Sequence, residues 1–276
     1  MAYTNRWLPF ASYGLMNEFI PAVGQESFHC DMQRGYKRGR KKELEVAELL
    51  AQDTTPQRIG LIAQQGVYEF HQHPELITQE DGIEKLAEIL KLGNEDYVVQ
   101  QRVTQILCNY RDQPVLLDKN VVQLSRGDEG IPDGLEINSR NYLFRLYAAI
   151  DCIFEEPDGT LCILDFKTGK SDFDSRQAYI YLLAATFLYP ERKTSAVFYN
   201  LESCKWSERL TASPIHLSAL QTELARLAKA HTLEKELYRE DPAQFAKIFP
   251  PNVGFACKYC LFSSICEFSC YSSVCS

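Results

Sequence analysis

Residues 142–169 read YLFRLYAAIDCIFEEPDGTLCILDFKTG, and this stretch decides the fold. Two apolar runs flank Glu156-Pro157-Asp158-Gly159-Thr160, a hairpin signal in which Gly159 is free to take a positive φ. If Pro157-Asp158-Gly159 forms a three-residue loop, Glu156 pairs with Thr160 and, counting back along the antiparallel ladder, Asp151 pairs with Asp165. Residues directly opposite share a face, with Cβ atoms about 5 Å apart. A two-residue turn instead moves the partner of Asp151 to Phe166 and leaves Asp165 one step away. Facing carboxylates on strands that read as buried are costly, because opposed like charges destabilise a sheet and unpaired buried charge is worse. A bound cation removes both objections, since hard divalent ions such as Mg2+ favour carboxylate oxygens. Strand period two puts Lys167 on the face of Asp165 and turns Leu164 and Phe166 the other way. The plainer alternative is a salt bridge from Lys167 to one aspartate, but one lysine does not neutralise two buried carboxylates.

Outward from this hairpin the pattern is mixed. Residues 175–189 read as a helix and 194–201 as a further strand. A long helix over 214–238 follows, then a short one before Pro250-Pro251. Upstream, 115–124 is strand-like, 125–134 is a polar loop with glycines, and 142–154 reads as one strand. The N-terminal half is largely helical, with helices over 38–50, from Pro56 toward Phe70, over 81–91 and over 97–110. This order predicts an α/β fold with a mixed sheet. A single domain over 1–276 is expected, with a mainly helical part over 1–113, a sheet core over 114–212, and C-terminal helices with a cysteine cluster over 213–276.

Composition sets the class. The chain has 276 residues, 45% hydrophobic and 24% charged, ordinary for a globular protein. Residues 1–19 lack a basic stretch followed by a long apolar run, so no secretory signal is expected. No stretch reaches the roughly 18 uninterrupted apolar residues a membrane helix needs. A cytoplasmic protein is expected. The net charge of −8 argues only weakly against nucleic acid, because binding depends on where positive charge lies. Arg34, Lys37, Arg38, Arg40, Lys41 and Lys42 form one dense basic run, either a solvated helix face or a phosphate contact. Of ten cysteines, Cys257, Cys260, Cys266, Cys270 and Cys275 crowd into the last twenty residues. The Cys257-x2-Cys260 pair can grip a metal centre, with Cys266 a third thiolate; zinc and a four-iron cluster both take four ligands. Cys270 would complete a local site. Cys108, Cys152, Cys162 and Cys204 read as buried free thiols.

Ala149-Ile150-Asp151, then Ile163-Leu164-Asp165-Phe166-Lys167-Thr168-Gly169, then Gln177 with Tyr181 four residues on, resembles the RecB-like branch of the PD-(D/E)XK nucleases. The resemblance implies a restriction-endonuclease-like mixed β-sheet core flanked by helices. It also implies a Mg2+- or Mn2+-dependent deoxyribonuclease acting on single-stranded DNA or DNA ends, in repair, recombination or defence. On it, Asp151 and Asp165 hold the metal, Lys167 assists the attacking water, and Gln177 and Tyr181 share one helical face at the site. Taken alone, Tyr181 would be core packing beside Leu188. Two departures stand out. Ala148 replaces a usual glycine, and the early G-x-x-x-H motif, whose histidine adds a metal ligand, has as nearest frames Gly60 with Gln64 and Gly39 with Glu43. Gln64 is the candidate replacement and Glu136 a further candidate acidic ligand.

The cysteine spacing is similar to that of RecB-like nucleases of the CRISPR-associated and AddB types, which carry a 4Fe–4S cluster. That resemblance implies Cys30 as the fourth ligand with Cys257, Cys260 and Cys266, stapling the chain ends together, with zinc as the alternative metal. Arg34, Lys37, Arg38 and Lys41 are candidate DNA contacts. The alternatives are a weakly catalytic, nuclease-like DNA-binding module, or an iron–sulfur subunit whose partner supplies helicase activity. The chain has no G-x-x-x-x-G-K-[ST] phosphate loop, so a helicase would be a separate subunit.

Overall fold

Thr54 caps a helix by accepting from the Gln57 backbone at 3.4 Å, while Gln57 Oε1 accepts the Thr54 N–H at 3.0 Å. This reciprocal box, with Pro56 in the first turn, starts the helix the sequence leads one to expect. It belongs to a computed structural model that describes residues 8–169 and 173–269. In chain order its elements are β1 (Phe10–Ser12), α1 (Tyr13–Phe19), α2 (Asp31–Arg38), α3 (Leu44–Leu50), α4 (Thr55–Gln72), α5 (Glu75–Thr78), α6 (Gly82–Ile89) and α7 (Tyr97–Asp112). There follow β2 (Asn120–Leu124), β3 (Leu135–Ser139), β4 (Tyr142–Tyr147), β5 (Cys152–Glu155), β6 (Leu161–Lys167), α8 (Ser175–Leu188), β7 (Thr194–Asn200), β8 (Lys205–Trp206), α9 (Pro214–Glu240) and α10 (Phe245–Ile248). The class is mixed α/β with a helical N-terminal half, as expected. The chain divides into two compact units, one of residues 1–53, 135–147 and 219–276, the other of 54–134 and 148–218.

The second unit holds a five-stranded sheet in the order β2-β5-β6-β7-β8. Strands β5 and β6 are antiparallel, and β6 and β7 run parallel, joined through α8. One face of the sheet buries Cys152, Phe154, Cys162, Leu164 and Tyr199 in one core with residues of α4 and α7. The other buries Ile153, Ile163, Ala196 and Phe198 against Ala178, Tyr181 and Leu182 of α8. Both faces are therefore dry, which is why β6 reads as a nearly continuous apolar run. Helices α4 and α7 approach closely at Gly66, where a Cβ would fall 2.2 Å from Leu107.

The first unit has a three-stranded sheet in the order β1-β4-β3. Its small core joins Met32, Tyr36 and Val46 to Phe262. The β3–β4 hairpin turns on Arg140 and Asn141, both with positive φ (49° and 68°), as a tight turn of the I′ kind requires.

Three expected elements differ. The run 142–154 is two strands in two units, β4 and β5, interrupted by Ala148, Ala149, Ile150 and Asp151. Ala148 to Asp151 include no glycine or proline to mark that exit. Residues 38–50 break at Gly39–Glu43, where Gly39 caps α2 and Glu43 precedes α3. Of 115–124 only Asn120–Leu124 is strand.

Candidate active site

The β5–β6 loop is the three-residue one. Glu156 N–H donates to Thr160 O at 2.9 Å, Gly159 has φ 82°, and Cys152 pairs with Leu164. Continuing that register one step brings Asp151, just before β5, opposite Asp165 in β6. Asp165 is 3% exposed, and period two directs it with Lys167 toward α8.

The helix supplies the partners. Asp174 caps α8 by accepting from the Arg176 N–H at 3.0 Å, fixing where its first turn begins. Gln177 and Tyr181 then lie one turn apart over Asp165. Asp165 Oδ1 accepts from Gln177 Nε2 at 2.9 Å and from the Tyr181 hydroxyl at 2.7 Å. Gln177 Nε2 also donates to the Tyr181 oxygen at 2.5 Å, and its Oε1 accepts from Lys167 Nζ at 2.8 Å. Lys167 Nζ stands 2.6 Å from Asp165 Oδ2 as an ion pair. Oδ2 is buried, and this ion pair is its contact in place of a hydrogen bond. Asp151 Oδ2 accepts the Phe166 N–H at 2.8 Å.

Electrostatics follow from burial. Desolvation, then the charge of Asp165, pushes the Asp151 carboxyl well above the ordinary carboxylate range. Hydrogen bonds from Phe166 and Gln64 and the charge of Lys167 oppose that shift without cancelling it. Burial and the charges of Asp165 and Asp151 likewise raise Tyr181 well above its usual value, so its hydroxyl stays a neutral donor. Lys167 offsets one carboxylate, so ionising the second requires a further cation, and without one Asp151 favours its protonated form.

Asp151, Asp165, Lys167, Gln177 and Tyr181 are thus brought together, and Gln64 of α4 lies close enough to Asp151 to favour its charged form. Gln64 Nε2 also donates to Ser125 O at 3.3 Å. Glu136 lies on β3 of the first unit, exposed and 3.3 Å from Arg145. Among the described residues no three His, Cys, Asp or Glu side chains converge as a ready metal site.

Sequence reasoning missed the braces. Gly169 N–H donates to Glu202 Oε1 at 2.9 Å, Asn200 Nδ2 donates to Gly169 O at 2.8 Å, and Leu201 N–H donates to Lys167 O at 2.8 Å. These hold the end of β6 to the end of β7. The available signal was Asn200 and Glu202, polar residues ending a strand parallel to the one that carries Lys167. Ser125, whose N–H donates to Asp151 O at 2.8 Å, sits in a stretch whose sequence signals only a polar loop.

In the first unit, Cys30, Cys257, Cys260 and Cys266 line one cavity of about 270 Å3 with Met32, Tyr36 and Phe262. The Asn252 N–H donates to Cys30 Sγ at 3.4 Å, and its side chain donates to His29 O at 2.8 Å. Cys270 and Cys275 lie outside the described residues. The residues of the basic run differ in exposure. Arg34 is 4% exposed, and its guanidinium donates to Asp31 at 2.5 Å, Glu234 at 2.6 Å and Glu18 O at 3.0 Å. A side chain so enclosed does not reach a phosphate. Arg38 is half-buried and doubly bonded to Glu18. Lys41 is exposed and Lys37 half-buried.

Comparison with known proteins gives one family. Residues 28–267 match the PD-(D/E)XK nuclease superfamily. No curated protein matches the chain. The crystal structure of SSO0001 aligns over 90% of this chain and 98% of its own, at 14% identity and a TM-score of 0.36, a likeness too slight to build on. No helix among the described residues is long and apolar enough to cross a membrane.

Proposed function

Because the chain belongs to the PD-(D/E)XK nuclease superfamily, we propose that it hydrolyses the phosphodiester bonds of DNA with a divalent metal held by Asp151 and Asp165. One observation carries this: two carboxylates, Asp151 and Asp165, meet across a hairpin with one cation, Lys167, paired to Asp165 Oδ2 at 2.6 Å. Lys167 offsets the charge of one carboxylate, and a hard divalent cation offsets that of the second. An all-oxygen donor set suits Mg2+ or Mn2+. The Gln64 side-chain oxygen is a neutral ligand of the same type, in place of the histidine found in related nucleases.

When bound, the ion would polarise the scissile phosphate and ease deprotonation of water. Lys167, a compact charge 27% exposed at its side chain, meets the attacking water and the developing oxyanion. Gln177 orients Lys167 and Asp165 together. Tyr181 keeps Asp165 Oδ1 occupied, leaving Oδ2 as the ligand atom.

The finer reading rests on the RecB-like order of motifs: a deoxyribonuclease for single strands or ends, in repair, recombination or defence, alongside a helicase or other subunit. The family match runs through both units, which favours one nuclease domain over 1–276. Cys30, Cys257, Cys260 and Cys266 line one cavity, which supports a shared four-cysteine centre, a 4Fe–4S cluster by the resemblance with zinc as the alternative. A weakly catalytic DNA binder is the second reading, favoured only by the amide at Gln64.

The deciding experiment incubates labelled linear and circular DNA with wild type and Asp165→Ala protein in Mg2+, Mn2+ or EDTA. Cleavage by wild type in metal alone is expected. Equal cleavage by both proteins would overturn the assignment.

A further inference from the structure

Beside Asp151 the chain runs Ser125-Arg126-Gly127-Asp128-Glu129-Gly130, with Gly127 and Gly130 at φ 91° and 90°. Left-handed residues in a short loop turn successive N–H groups to one side, making a concave anion seat. Here the seat is filled by the chain itself. Glu129 Oε2 accepts from the Ser125 hydroxyl and the Gly127 N–H, both at 2.8 Å, and Oε1 accepts from the Arg126 N–H at 2.5 Å. Glu129 is exposed, so water is available to it, yet both its oxygens turn inward. Although burial works against the charge, these bonds together hold the carboxyl below its ordinary range.

We propose that this seat is a substrate-phosphate subsite and that Glu129 occupies it until DNA displaces it. The inference rests on the nuclease reading and adds to it a binding position and a built-in competitor. Three observations carry it. The donors, two backbone N–H groups and a hydroxyl aimed at two oxygens of one anion, suit a phosphodiester as well as a carboxylate. The place is right, since Ser125 N–H bonds Asp151 O at 2.8 Å and Gln64 reaches both Ser125 O and Asp151. The seat also keeps its shape without Glu129, because Gln65 donates to Asp128 at 2.9 Å and Arg126 to Glu69 at 3.0 Å, tying the loop to α4. Among the described residues Glu129 has no ion pair, so its departure breaks no salt bridge.

The test pairs steady-state cleavage of a short single-stranded oligonucleotide in Mg2+ with amide NMR shifts during titration of inorganic phosphate. Glu129→Ala should lower KM several-fold with little change in kcat, and adding Ser125→Ala should reverse the gain. In Glu129→Ala, phosphate should shift the Arg126 and Gly127 amides at lower concentration than in wild type. If Glu129→Ala disrupts the loop, Glu129→Gln, which keeps the shape without the charge, should move both readouts the same way by less. A folded Glu129→Ala protein with unchanged KM and unmoved amides overturns the proposal while leaving the nuclease intact. Amides that respond in a protein that cleaves no DNA with any metal overturn the nuclease reading and leave only an anion seat.

Discussion

Gln177 accepts the Lys167 ammonium on Oε1 at 2.8 Å, while Nε2 of the same amide donates to Asp165 Oδ1 at 2.9 Å. One side chain thereby fixes the spacing of Asp165 and Lys167, to which our proposal gives metal binding and catalysis. Partners of this kind are worth about 10–100-fold in activity or metal affinity. Gln177→Ala should therefore reduce kcat by about that factor and change KM for DNA little, measured at saturating Mg2+. Gln177→Glu should also weaken cleavage, because it cannot donate to Asp165. A variant with only a raised KM would move Gln177 from positioning to substrate binding.

Asp151 gives a pH dependence with a definite sign. Its folded-state pKa is raised above the ordinary 3.8 by burial and by Asp165. The metal-free folded protein therefore keeps a proton that the unfolded chain releases. The Asp151 contribution to stability is full below pH 3.8 and falls as pH rises toward the raised value. Asp151→Asn in EDTA should flatten this slope and be more stable than wild type at neutral pH, while cleaving no DNA. Unfolding curves across pH check it. The same linkage makes Mg2+ binding release protons and tighten with rising pH, readable by calorimetry in two buffers. A wild-type slope in Asp151→Asn would exclude Asp151 as the source.

Much of this site was legible because it is local. The hairpin loop Pro157-Asp158-Gly159 sets the register of β5 and β6, so counting residues was enough to bring Asp151 opposite Asp165. Helical period four placed Gln177 over Tyr181. Other features depend on tertiary contacts that no local pattern encodes. The exit of the chain between Tyr147 and Cys152 has no glycine or proline, so 142–154 read as one strand. The turn at Arg140 and Asn141 was hidden because these residues tolerate positive φ less readily than Asn-Gly. Arg34 looked like a surface cation because its partner Glu234 lies 200 residues away.

The cysteines make a chemical prediction. Asn252 bonds Cys30 Sγ and the His29 carbonyl, holding the early cysteine in the cavity of the late three. Protein purified without oxygen should be brown and contain iron rather than zinc. Cys30→Ser should bleach it and make it protease-sensitive, since cluster binding couples to folding, while Cys270→Ser should leave it coloured. The reverse pattern would make the site local to the C-terminal segment. Colourless protein with one tight zinc would reject the cluster and leave the site at Asp151 and Asp165 untouched.

The basic run separates into two kinds of residue, and the two kinds should fail differently. Arg34 is enclosed by Asp31, Glu234 and Glu18 O and packs 3.8 Å from the Phe19 ring centroid. Removing one partner of a buried ion pair leaves the others uncompensated, at about 3–5 kcal/mol. Arg34→Ala should thus lower the unfolding midpoint in urea and leave the salt dependence of DNA binding unchanged. Lys37 and Lys41 are more accessible, and our proposal that they touch DNA has a distinct signature. Each phosphate contact removed flattens the log–log slope of affinity against salt by roughly one unit. Lys37→Ser with Lys41→Ser should therefore weaken DNA binding, flatten that slope by about two units and barely change stability. An unchanged slope with intact folding would make the run a solvated helix face, because charge that merely faces water releases no counterions when DNA binds.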